Sequence, residues 1–168
     1  MKRIIALILM LSCVLTVASC AVVPLYDSSD LVVILKENGY TVKETFKNVR
    51  EGVVGYVYAK RIRTGDELYY IYCEDLTSSK SIYDYANSKQ KAHIAEINME
   101  IDQIEYALYK TEGLSAEEKG RYYQRLVEKQ EELEEVKNYT CGRGLNVVWY
   151  GTKQAVLDIK GITDKLGK

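Results

Sequence analysis

The chain has 168 residues, with 23 basic against 24 acidic side chains and a single histidine. That near-neutral balance is not a nucleic-acid binder's, and one histidine excludes a multi-histidine metal site within a single chain. The aromatic content is lopsided, with 15 Tyr against one Phe and one Trp; tyrosine has an apolar body and a polar tip, so it can be half-buried on a sheet.

The first 20 residues have three parts with different physical roles. Lys2 and Arg3 form a positive n-region, residues 4–16 are apolar and uncharged, and small residues then precede a cysteine. That order marks an export signal. Val17, Ala18, Ser19 and Cys20 resemble, at all four positions, the lipobox of bacterial prolipoproteins: an aliphatic residue, a small or aliphatic one, a small one, then Cys. The resemblance is confined to this segment. It implies a signal peptide at 1–19, cleavage before Cys20, a diacylglyceryl group on the Cys20 thiol, and a location on the extracytoplasmic face of the cell membrane, or at the outer membrane in a diderm source. Ala21 after Cys20 lacks the Asp that would retain a lipoprotein at a diderm inner membrane. The competing reading is an uncleaved helix, because residues 4–23 are an uncharged run of 20, long enough to span a bilayer. The small residues before Cys20 favour cleavage. Cys13, after Met10, Leu11 and Ser12, is a poorer acceptor.

Residues 20–27 read as a short tether, and 28–168 as a single α+β domain. Ser28, Ser29 and Asp30 offer helix caps, and Leu31, Ile34 and Leu35 line one face before Asn38 and Gly39; this predicts a short amphipathic helix. Residues 40–46 read as an extended segment, 52–60 as a strand alternating Val, Gly and Tyr, and 68–73 as the next. Thr64, Gly65 and Asp66 supply turn chemistry between the last two, which predicts a hairpin. Lys60, Arg61 and Arg63 at its tip read as a solvated charge cluster; the functional alternative is contact with anionic headgroups.

After a helix at 78–88 the pattern changes. Ile94, Ile97, Ile101, Ile104 and Leu108 recur at steps of three and four, a narrow heptad seam. Residues 111–114 break it, and Ser115 with Glu118 forms a capping box opening a second helix. There Tyr122, Leu126, Leu133 and Val136 continue the spacing, with Lys129 on the seam. The expectation is an antiparallel helical hairpin, a coiled-coil arm at about 90–138, inserted into the domain. Its outside is acidic through Glu128, Glu131, Glu132, Glu134 and Glu135, which reads either as a solvated surface or as a surface for a partner.

Gly142 and Gly144 read as a turn, residues 145–150 as a fourth strand, and 153–160 as a closing helix. A phosphate loop is not expected, because Gly142-x-Gly144 lacks the strand before it and the helix directly after it. The predicted fold is an antiparallel-rich four-stranded sheet with helices on one face. Its fourth strand is expected to run parallel and to begin at Cys141. On that topology a bond between Cys73 and Cys141, the two thiols left for a disulfide, is less favoured than free thiols, since their α-carbons would lie well beyond about 7 Å.

No catalytic constellation emerges. His93 reads as an exposed helix residue, and Glu74 with Asp75 as helix-capping or solvated acids whose alternative is acid-base or cation chemistry. No cofactor, metal or nucleic acid is expected. The leading expectation is a lipid-anchored binding or scaffolding module whose arm contacts an envelope protein. The alternatives are a ligand platform built from Tyr56, Tyr58, Tyr70 and Tyr72, and, third, a hydrolytic enzyme.

Overall fold

A computed structural model describes residues 28–47 and 49–166. The residues read as signal segment and tether, Cys20 among them, lie outside these residues.

The fold is α+β, built on an antiparallel sheet of five strands. Helix α1 (Ser28–Glu37) precedes β1 (Thr41–Thr45), β2 (Val53–Lys60) and β3 (Glu67–Cys73). Two long helices follow, α2 (Leu76–Lys110) and α3 (Ala116–Lys137). The chain then returns through β4 (Tyr139–Gly144), β5 (Val147–Thr152), α4 (Lys153–Asp158) and α5 (Lys160–Leu166). The spatial order is β1-β2-β3-β5-β4, and every pairing is antiparallel.

Helix α1 stops at Asn38 and Gly39, where Gly39 takes φ +80 and the Asn38 amide donates to the Ile34 carbonyl at 2.9 Å. Leu31 and Leu35 enter the core from it. They meet Val57, Ala59, Leu68, Tyr70, Tyr72 and Val147 from one sheet face, with Ala155, Ile159 and Ile162 closing the cluster from α4 and α5. Alternation along β2 produces this face: residues 53, 55, 57 and 59 are buried and their neighbours only partly so.

Four expectations about the second half of the chain are corrected. Residues 139–152 form two strands, making five in all, because Leu145 and Asn146 act as a two-residue turn with Leu145 at φ 52. The last strand therefore runs antiparallel to β3, with Tyr70 opposite Trp149. Gly142 is a strand residue and not a turn: it faces Trp149 across the ladder, and a Cβ there would lie 2.3 Å from the indole. Finally, helices cover both faces of the sheet. The first turns of α2 lie over β4 and β5 on the side opposite the main core, where Val148 is fully buried and the Arg143 guanidinium reaches the Leu76 carbonyl. Buried Ser79 donates to the carbonyl of Leu145, fastening α2 to the β4–β5 turn.

Candidate functional site

The arm grows out of this second face. The residues read as a helix at 78–88 and the outgoing half of the arm belong to one helix, so α2 runs unbroken for 35 residues from the sheet to the tip. Asp75 caps it, accepting from the Ser78 amide at 2.6 Å, and those hydrogen bonds hold its carboxyl below the usual range. The tip turns at Gly113, φ +86, and the capping box of Ser115 and Glu118 starts α3.

Helix α3 returns antiparallel along α2. Residue numbers rise on one helix as they fall on the other: His93 faces Glu132 at 3.3 Å, and Glu100 faces Lys129 at 3.1 Å. Between the helices Ile97, Ile104, Leu108 and Leu133 are buried, while Ile94, Ile101, Tyr122, Leu126 and Val136 are half-buried. Lys129 is accommodated on the seam because its ammonium leaves sideways between Glu100 and Glu132. At the root, the Gln90 amide donates to the carbonyls of Val136 and Tyr139 at 3.1 and 2.8 Å, joining α2, the end of α3 and β4.

A second stripe runs along the opposite side of α2. Tyr85, Ser88, Ala92, Ala95, Met99, Asp102, Tyr106 and Tyr109 follow one another at steps of three and four, and all eight are exposed. Tyr85 is 58%, Met99 55%, Tyr106 69% and Tyr109 66% exposed. This is a heptad-spaced face with one charged member, Asp102. The sequence signal for it was the same spacing that marks the inner seam, shifted round the helix; the isoleucines drew attention to one register only.

At the root of the arm, Tyr85, Lys89, His93, Tyr139 and Tyr150 line a cleft of about 400 Å³. Tyr139 and Tyr150 stack with centroids 5.2 Å apart, and Tyr58 packs on Tyr69 at 4.7 Å. Glu67 joins the two pairs, accepting from Tyr139 at 2.6 Å and from Tyr58 at 3.1 Å. Burial, and then the Glu67 carboxylate, push the Tyr139 hydroxyl far above its ordinary pKa, so it stays a donor. Of the expected platform, Tyr56 and Tyr58 are half-buried on this face, whereas Tyr70 and Tyr72 are buried on the other. Two-residue periodicity puts even and odd positions on opposite faces, and the antiparallel register sets Tyr58 beside Tyr69, not Tyr70.

The remaining candidates are dispersed. Glu74 is exposed, and neither it nor Asp75 lines the cleft of about 380 Å³ formed nearby by Arg50, Glu51, Thr77 and Ser78. The basic tip is more than a solvated cluster, because Arg61 is engaged inward: it pairs with Asp66 at 2.6 Å and Asp158 at 3.4 Å and lies over the Tyr40 ring. Lys60 leans on Glu67 at 3.8 Å.

Cys73 and Cys141 are free thiols, both pushed up to about 11 by burial. Strand β5 lies between their strands, and Cys73 stands level with Asn146 whereas Cys141 pairs with Tyr150. Two strand spacings put them about 10 Å apart laterally before the register offset is added, so the separation follows from an intervening antiparallel strand and not from a parallel one. Among the described residues no group of three or more His, Cys, Asp or Glu is placed to hold a metal ion, and no helix is long and apolar enough to cross a membrane. Compared with family models, curated proteins and solved structures, the chain matches none.

Proposed function

We propose that the chain is a lipid-anchored, extracytoplasmic binding or scaffolding protein, held at the membrane through acyl chains on Cys20, whose arm contacts an envelope partner. The exposed stripe from Tyr85 to Tyr109 carries the reading. A helix whose inner seam is already filled by α3 has no internal use for a second apolar register, and exposed apolar surface of this kind marks association sites.

Arm shortening tests it. Because α2 covers the sheet up to Gln90, the cut must fall further out than the arm's root. Replacing residues 98–128 by a short Gly-Ser link leaves Ile97 and Leu133 in place. The expected result is a chain that folds, still takes labelled palmitate in a Cys20-dependent way, and loses its crosslinked partner in intact cells. Undiminished partner recovery would move the contact to the sheet.

A second reading is favoured by one observation. Tyr69 is 38% exposed beside Tyr58, on the part of α2's face of the sheet that the helix leaves uncovered. This face can take a small ring-bearing ligand by stacking, with the root cleft alongside. Tyr58→Ala that leaves ligand retention unchanged would discard it.

A further inference from the structure

Resting on the arm reading above, we propose that the partner of the α2 stripe is a second copy of this chain, docked antiparallel about a two-fold axis near residue 97. The stripe is self-complementary in size. Its large members, Met99, Tyr106 and Tyr109, lie toward one end, and its small members, Ser88, Ala92 and Ala95, toward the other. Running two copies antiparallel sets Tyr106 against the partner's Ser88 and Met99 against the partner's Ala95. Asp102 then meets the partner's Ala92, small enough to leave the carboxylate in water. Tyr85 and Tyr109 close each end together. A parallel pair would instead stack Tyr106 on Tyr106 and alanine on alanine, giving layers alternately overfilled and empty. Isologous contact requires this kind of self-complementarity.

Area and charge agree with the register. At about 150–250 Å² per large side chain, the exposed parts of Tyr85, Met99, Tyr106 and Tyr109 amount to roughly 500 Å² per copy. Two copies therefore remove roughly 1,000 Å², and Ser88, Ala92 and Ala95 add to it, reaching the lower range of specific interfaces at about 1,200 Å². Lys91 flanks the stripe on one side and meets the partner's Glu105, twice by symmetry. On the other flank Glu96 approaches its own copy near the axis, the one unfavourable pair. The stripe points away from the side of α2 on which Ser79 and Gln90 bond to the β4–β5 turn and to α3, so the partner's arm tip passes over the outer side of the root and not through the sheet.

Two experiments use the full-length lipoprotein. With p-benzoylphenylalanine in place of Tyr106 in intact cells, an adduct of twice the chain mass is expected. An adduct of another mass keeps the arm as a docking surface and overturns self-pairing; no adduct overturns both. The second experiment tests orientation. Ser88→Cys and Tyr106→Cys chains are mixed and treated with a short bismaleimide, wild type serving as the control for Cys73 and Cys141. Antiparallel docking joins the two variants to each other but neither to itself, because two copies of position 88 lie about 27 Å apart at 1.5 Å per residue. Dimers from Ser88→Cys alone would overturn the orientation. Ala95→Glu, at an exposed position, is expected to weaken self-association at least ten-fold with an unchanged thermal transition; unchanged association would remove the stripe from the interface.

Discussion

The sheet domain closes one core from both layers: α1, three strands and the C-terminal helices bury twelve residues together, Tyr70 and Tyr72 among them. The arm takes up about a third of the described residues, yet its contact is a single file of side chains in which only Ile97, Ile104, Leu108 and Leu133 are buried. Both regions obey the same periodicities, but a sheet face gathers contacts across three neighbouring strands whereas two helices share one seam. Stability is therefore concentrated in the sheet. The arm keeps surface to spare, and a region that is not needed to hold the fold is free to present a face.

The sharpest way to break that comparison is to remove equal volumes from each region. Leu68 is fully buried between β2 and β5, so Leu68→Ala should lower global stability by about 2–5 kcal/mol. Ile104→Ala should act mainly on the arm, loosening amide protection in the outer halves of α2 and α3 while the sheet's slowest amides keep theirs. Hydrogen exchange followed by mass measurement separates the two. Equal loss of protection in both regions would show a single cooperative unit.

Next in size is Gly142→Ala. A methyl at this position meets the Trp149 ring at 2.3–2.5 Å, and half-buried Trp149 packs against the core. Displacing the indole should cost about 1–3 kcal/mol by overpacking, read as a lower denaturant midpoint with an unchanged slope. A neutral substitution would mean that the indole swings aside without loss.

The basic hairpin tip supplies a smaller, pH-dependent effect. Burial of Asp66 opposes its ionisation, but hydrogen bonds from Thr64, Arg61 and Thr152 outweigh that and set its carboxyl below the ordinary value. A depressed folded-state pKa means stabilisation that is fully present above the unfolded value, near pH 4, and lost as pH falls through the folded one. Asp66→Asn should remove about 1–2 kcal/mol at pH 7, and the gap between variant and wild type should narrow toward pH 2. A gap independent of pH would assign the effect to packing.

Much of the architecture was legible because it rests on local rules. Gly39 ended α1, alternation placed β2, and Ser115 with Glu118 opened α3. What stayed hidden depended on long-range partners. Nothing within residues 139–152 announces two strands, since Gly142 is needed only because Trp149 lies across it, and Arg61 resembles any solvated tip until Asp158 arrives from the far end of the chain. The tyrosines of β3 were visible as strand residues, but which of them met Tyr58 depended on register. The candidate site was half legible. The inner seam showed in its isoleucines, whereas the outer stripe mixes Ala, Ser, Met and Tyr, and only its exposure distinguishes it from an ordinary helix surface.

The smallest effect should be a gain, and it tests the turn between β4 and β5, which the sequence reading places at Gly142 and Gly144. Leu145 sits in the left-handed region at φ 52, where a leucine side chain crowds the following carbonyl, and it is 42% exposed. The turn survives because its neighbours over-determine it: the Asn146 amide donates to the Cys73 carbonyl at 3.1 Å, the Cys73 amide donates back to Asn146 at 2.8 Å, and Ser79 holds the Leu145 carbonyl at 2.9 Å. Asparagine tolerates this conformation better than leucine, and none of those bonds uses the Leu145 side chain. Leu145→Asn should therefore stabilise the fold by about 0.5–1 kcal/mol, a rise of a few degrees in the thermal midpoint for a domain of this size. A loss of stability would mean that the exposed leucine contributes more by covering the neighbouring surface than its backbone strain costs. In that case the turn would belong with the sheet's packed elements and not with its connections.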